Sequence, residues 1–74
     1  MGLSMKFNKN EMYKNLFKDQ DVAFEVDEVL SQNNYGADLI VTWFKLTNNG
    51  RYVSMGISGE FHIPKDQVMH YIPV

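Results

Sequence analysis

Seventy-four residues without a cysteine are read as one domain, 1–74, whose core must come from apolar packing alone, since disulfides and thiolate metal sites are excluded. A chain this short buries only about 60% of its unfolded surface, so help from a homo-oligomer or a partner is expected. The net charge is −2; the absence of cysteine fits a reducing, cytoplasmic setting, and the lack of any apolar run near the roughly 20 residues of a membrane span argues against a membrane partner.

The charge is uneven. Residues 1–18 carry Lys6, Lys9, Lys14 and Lys18 against Glu11 alone, whereas residues 19–38 carry Asp19, Asp21, Glu25, Asp27, Glu28 and Asp38. A general phosphate-backbone binder needs clustered Lys and Arg, so nucleic acid is disfavoured as a partner.

Residues 1–6 are expected to be flexible. Met1-Gly2 does not open a myristoylation motif, because Lys6 stands where Ser or Thr is needed. Residues 8–18 then read as an amphipathic helix: Asn8 caps, Glu11 returns the hydrogen bond, and Phe7 and Met12 form a staple. Met12, Tyr13, Leu16 and Phe17 share one face. About three turns are too few to stand alone, so this stripe must dock.

From residue 21 onward the pattern is β. Val22, Phe24 and Val26 alternate with Ala23, Glu25 and Asp27, giving a strand with one acidic face. The alternation slips at Glu28-Val29-Leu30, which predicts a bulge or bend, and Ser31 to Gly36 reads as a polar loop. Asn48-Asn49-Gly50 joins two apolar runs, about 37–47 and 51–58, and predicts a two-residue I′ hairpin with Asn49 and Gly50 in the turn. In that register Leu46 pairs with Val53 and Trp43 with Gly56. Ile40, Phe44, Leu46, Val53, Met55 and Ile57 then form the core face. The opposite face holds Leu39, Val41, Trp43, Thr47, Tyr52, Ser54 and Gly56, and is apolar enough to need a cover or a ligand. Gly59 is expected to reverse the chain into a short strand, Glu60 to Ile63, which Pro64 ends. Lys65-Asp66-Gln67 suits one helical turn before a last strand over Val68 to Ile72.

These elements predict an α+β, mostly β fold: an N-terminal amphipathic helix packed on a small five-stranded barrel or rolled antiparallel sheet over 21–74. The segment Gly59-Glu60-Phe61-His62-Ile63-Pro64-Lys65-Asp66-Gln67-Val68 resembles the end of SH3 domains, where a Gly, an aliphatic-Pro pair, a 3₁₀ turn and a Val close the barrel. Trp43-Phe44 is similar to the aromatic pair that opens a middle SH3 strand. The resemblance spans about a third of the chain and implies an SH3-like barrel. An N-terminal Ala-Leu-Tyr-Asp-Tyr segment, half of the SH3 peptide groove, is absent.

Chemistry-bearing residues are few. Trp43, flanked by Val41 and Tyr52, is either a contact platform or a ring covered by the helix. Glu25 and Asp27 offer an acidic strand face that meets a basic partner or simply stays solvated. His62 and His70, with Glu60 nearby, make only a weak metal hint, and no cofactor is expected. Neither a glycine-flanked nucleophile nor a Gly-rich phosphate loop is present, so the chain is read as no enzyme. The leading expectation is a small interaction or inhibitor protein of the kind that phages and mobile elements encode, binding a protein partner through Trp43, Tyr52, Glu25, Asp27 and Val41. The alternatives are a single-stranded nucleic-acid binder using Trp43 and Tyr52 to stack bases with Lys45 and Arg51 near phosphates, and a structural subunit of a larger assembly.

Overall fold

A computed structural model describes residues 6–74. Five strands, β1 (Met12–Asn15), β2 (Val22–Asn33), β3 (Gly36–Leu46), β4 (Tyr52–Pro64) and β5 (Tyr71–Pro73), form one antiparallel sheet in the order β4-β3-β2-β1-β5. The sheet is not closed into a barrel. A 3₁₀ helix over Lys65–His70 leads into β5, and among the described residues no helix is long and apolar enough to cross a membrane.

No N-terminal helix forms. The segment expected as one turns sharply at Asn8 to Glu11, where Asn10 takes φ +72°, and then pairs as β1 with β2 on one side and β5 on the other. Asn8 caps nothing; its N–H donates to the Tyr13 hydroxyl at 2.8 Å. The physical reason is that a three-turn helix is marginal in water, whereas an inserted strand satisfies its backbone from two neighbours and buries Tyr13 and Phe7 in the core. Phe7, expected as a helix staple, is instead held by Gln32: its N–H donates to Oε1 at 2.9 Å and its carbonyl accepts from Nε2 at 2.8 Å. The flexibility expected of residues 1–6 concerns a stretch that, apart from Lys6, lies outside the described residues.

The core is largely aromatic. Phe24 on β2 lies within 5.4 to 6.4 Å, centroid to centroid, of Phe7, Tyr13, Trp43, Phe61 and Tyr71. Most of these rings meet edge-on or tilted, which suits their quadrupoles. Val26, Val41, Leu39 and Ile63 extend the core with no exposed surface. Two register shifts in β2, at Asp27 and Leu30, realise the slip expected near Glu28. They keep Val26 and Val29 opposite Val41 and Leu39 while Glu28 stays exposed.

The hairpin differs from expectation by one residue. Only Gly50, at φ +82°, takes the left-handed conformation, and Thr47 N–H donates to the Arg51 carbonyl at 2.7 Å. The loop is therefore three residues, Asn48-Asn49-Gly50, the form that ends in a left-handed glycine. Leu46 pairs with Tyr52 and Lys45 with Val53. A shift of one residue moves a strand's side chains to the other face, and the roles of the two β3 faces are reversed as well. Leu39, Val41 and Trp43 pack on the core, while Ile40, Phe44 and Leu46 lie half-buried on the outer face. Gly59 does not reverse the chain either. It faces Val41 in register, so β4 runs unbroken to Pro64 and merges two of the expected strands.

Candidate interaction surface

Beyond the core the inner side of the sheet opens into a cleft of about 260 Å³. Its floor is Trp43, Phe61, Phe24 and Tyr71, and its rim includes Lys14, Lys18 and Asp19. Trp43 is half-buried, with Phe61 edge-on at 5.1 Å and Phe24 at 5.4 Å. Its ring is thus held rigidly on two sides while part of it faces the cleft. Lys14 comes from β1 and Lys18 from the loop joining β1 to β2. That loop is fixed at both ends: Leu16 N–H donates to the His70 carbonyl, and the Asp21 carbonyl accepts from Leu46 N–H, both at 2.7 Å. Asn15 supports it internally, its Oδ1 accepting from Phe17 N–H at 2.8 Å while Gln20 Nε2 donates to the Asn15 carbonyl. Neither lysine has an ion-pair partner among the described residues.

A smaller recess of about 220 Å³ continues from the same rim through Asn15 and Lys18 to Phe17 and His70, whose rings meet edge-on at 4.9 Å. Phe17 is 68% exposed. Cleft and recess together make a groove with aromatic groups at both ends and lysines between them. Such a groove can take an extended segment that offers apolar side chains and an acidic group.

The residues expected to act together do not share a surface. Val41 is fully buried beneath the sheet and has no surface to offer a partner. Tyr52 pairs with Leu46, which puts it on the face opposite to Trp43. Lys45, two residues beyond Trp43, keeps to Trp43's side, and Arg51 is exposed at the hairpin tip. Glu25 and Asp27 are half-buried on the outer face. There Thr42 Oγ1 donates to Asp27 Oδ2 at 2.6 Å and lies 2.9 Å from Ser58 Oγ. Thr42 has one hydroxyl proton, so Ser58 is the donor in the second bond.

The same face carries a second polar chain, in which Asp38 accepts from Ser31 at 3.1 Å and bonds His62 Nδ1 at 2.8 Å. The imidazole bond foremost, and Ser31 after it, hold the Asp38 carboxyl below its ordinary value of 3.8. Here the carboxylate stands between the hydroxyl and the imidazole, so the imidazole is not beside the hydroxyl and the trio does not make a Ser-His nucleophile pair. The two histidines do not meet: His62 serves Asp38 and His70 serves Phe17.

Sequence reading missed Lys14, Lys18, Phe61 and Tyr71 as cleft residues. The first two fell off the apolar face of the expected helix, and neither ring was singled out within its expected strand. The readable signal was the alternation Met12-Tyr13-Lys14-Asn15, obscured because the second buried position is an asparagine. No family model, curated protein or solved structure matches this chain.

Proposed function

We propose that this chain is a non-enzymatic protein-interaction module, SH3-like in architecture, that binds a segment of a partner protein in the Trp43 cleft and acts by occluding or bridging that partner. The architectural part is supported by the 3₁₀ turn entering a short last strand that returns to β1. The observation that carries the binding reading is the cleft itself: a rigid, partly exposed aromatic floor beside two unpaired lysines. Aromatic anchors of this kind contribute most where contact is desolvated and the ring is already ordered. Glu25, Asp27 and Glu28, on the outer face, act on approach by steering a basic surface of the partner.

One observation favours a second reading, single-stranded nucleic acid: Lys14 and Lys18 border the Trp43 cleft, and Lys45 lies on Trp43's side of β3. Against it stand the negative net charge and the placement of Tyr52 on the other face, which removes the second stacking ring. Trp43 is the sole tryptophan, so its emission reports directly on the cleft. Titration with single-stranded DNA and RNA at low and moderate salt should leave it unchanged; quenching with a steep salt slope would replace the first reading with the second. Partner capture from the source organism should be lost in a Lys14→Glu, Lys18→Glu variant. Reversing Glu25 and Asp27 should mainly slow association.

A further inference from the structure

We propose that β4 is a self-association edge: two copies of the chain pair antiparallel through Tyr52–Glu60 about a two-fold axis at Gly56, joining their sheets into one. Among the described residues β4 is the outermost strand of the sheet, so its free side presents backbone donors and acceptors with no partner strand. Edge strands are ordinarily protected by brevity, proline, charge or a bulge. The first three do not guard this stretch, since β4 spans 13 residues, its only proline is Pro64 at the far end, and Tyr52 to Gly59 carries no charged side chain; the one irregularity, at residues 55–57, lies on the proposed axis. Val53, Met55 and Ile57 are each 43 to 53% exposed.

The occupant is argued from self-complementarity. Val53-Ser54-Met55-Gly56-Ile57-Ser58-Gly59 is nearly palindromic about Gly56. Antiparallel pairing centred there sets Met55 opposite Ile57 of the second copy and Ser54 opposite its Ser58, so apolar meets apolar and hydroxyl meets hydroxyl. The charges at the ends agree. Arg51 and Glu60 flank the neutral stretch, and antiparallel pairing brings the Arg51 end of each chain to the Glu60 end of the other, whereas parallel pairing would put like against like. Gly56 marks the one break. It holds φ +73°, so the ladder is interrupted on the axis and runs as two short stretches, Tyr52–Met55 of each copy against Ile57–Glu60 of the other. A Cβ placed at Gly56 would meet nothing within 4 Å, so the irregular point of β4, where its pairing with β3 skips Trp43, has no side chain to obstruct a second backbone. None of Tyr52 to Glu60 lines the cleft, so pairing makes the module bivalent.

Light scattering across a concentration series tests the proposal on the full chain. A mass twice that of the chain is expected at high micromolar concentration, and a monomer throughout would overturn it. Ile57→Lys and Met55→Lys each place like charges near the axis and should give monomers with unchanged circular dichroism; a dimer that survives both overturns the assignment to β4. Arg51→Glu and Glu60→Arg should each raise the dissociation constant several-fold, and the double variant should restore it. Failure of the double variant, with both singles folded, would overturn the antiparallel arrangement. Oligonucleotide binding or partner capture at Trp43 is read separately and does not bear on these outcomes.

Discussion

Two regions of this sheet are built on opposite principles. On the inner face five aromatic rings surround Phe24, and Val26, Leu39, Val41 and Ile63 extend the layer. At the hairpin end of β4, beside Trp43 but on the outermost strand, Val53, Met55 and Ile57 are exposed. The molecule measures 39 × 22 × 15 Å. The difference teaches where a small chain keeps its stability and where it keeps apolar surface for contact. One region supports the fold, and the other presents the same residue types to solvent, where the proposed pairing would use them.

The comparison is broken most directly by removing one apolar side chain from each region. Phe24→Ala should cost about 4 kcal/mol, because it deletes the ring that the other rings pack against and leaves a cavity they cannot fill. Ile57→Ala should cost less than about 0.5 kcal/mol at protein concentrations low enough to keep the chain monomeric. Denaturant melts of the two variants decide the matter, and similar losses would mean that the hairpin end carries more of the fold than its exposure indicates.

A second test uses glycines, one beside the core residue Ile63 and one on the exposed edge, which differ for a backbone reason. Gly36 and Gly56 both take positive φ, +129° and +73°. At Gly36 a Cβ would lie 2.1 Å from the Ile63 carbonyl oxygen, which is backbone and cannot move aside without breaking the β3–β4 ladder. Gly36→Ala should therefore cost about 3 kcal/mol. At Gly56 the added methyl meets open space, so the left-handed conformation is the whole penalty, about 1 kcal/mol. Comparable melting midpoints for the two variants would show that φ alone, and not the contact with Ile63, governs both sites.

How far the sequence spoke for this architecture also divides by region. Strands β2 and β3, the slip in β2 and the stop at Pro64 were legible, because period-two apolar patterns and proline act locally. The N-terminal strand was not. Asn8, Glu11 and the Phe7–Met12 pair make a consistent helix start, and the decision against it comes from pairing with β2, the next element, and with β5 at the other end of the chain, which no pattern within residues 8–18 announces. The turn was legible as a turn but not to the residue. Asn49 and Gly50 both tolerate positive φ, and nothing local says that Gly50 alone adopts it. For the candidate site the consequence was specific. Trp43 was found, but its companions were misassigned: Tyr52 to the same face, Glu25 and Asp27 to the same surface, and Lys14 and Lys18 to no site at all.

The smallest expected effect lies on the outer face, toward the end of the ladder away from the hairpin, where Ser31, Asp38 and His62 link β2, β3 and β4. Asp38 is held below its ordinary value of 3.8, so the folded state binds that proton less readily than the unfolded chain does. Its contribution is therefore present above pH 3.8 and is lost as pH falls through the depressed folded value. The partners are exposed and the link is screened by solvent, so the effect stays small. Between neutral pH and the acid range the wild type should lose slightly more stability than Asp38→Asn, which has no carboxylate to protonate. Unfolding midpoints taken at a series of pH values from about 5 downward measure that difference. Parallel curves would mean that the His62 bond does not persist in solution. A difference that grows on acidification would show instead that this polar link tethers the exposed hairpin strand to the packed region of the sheet.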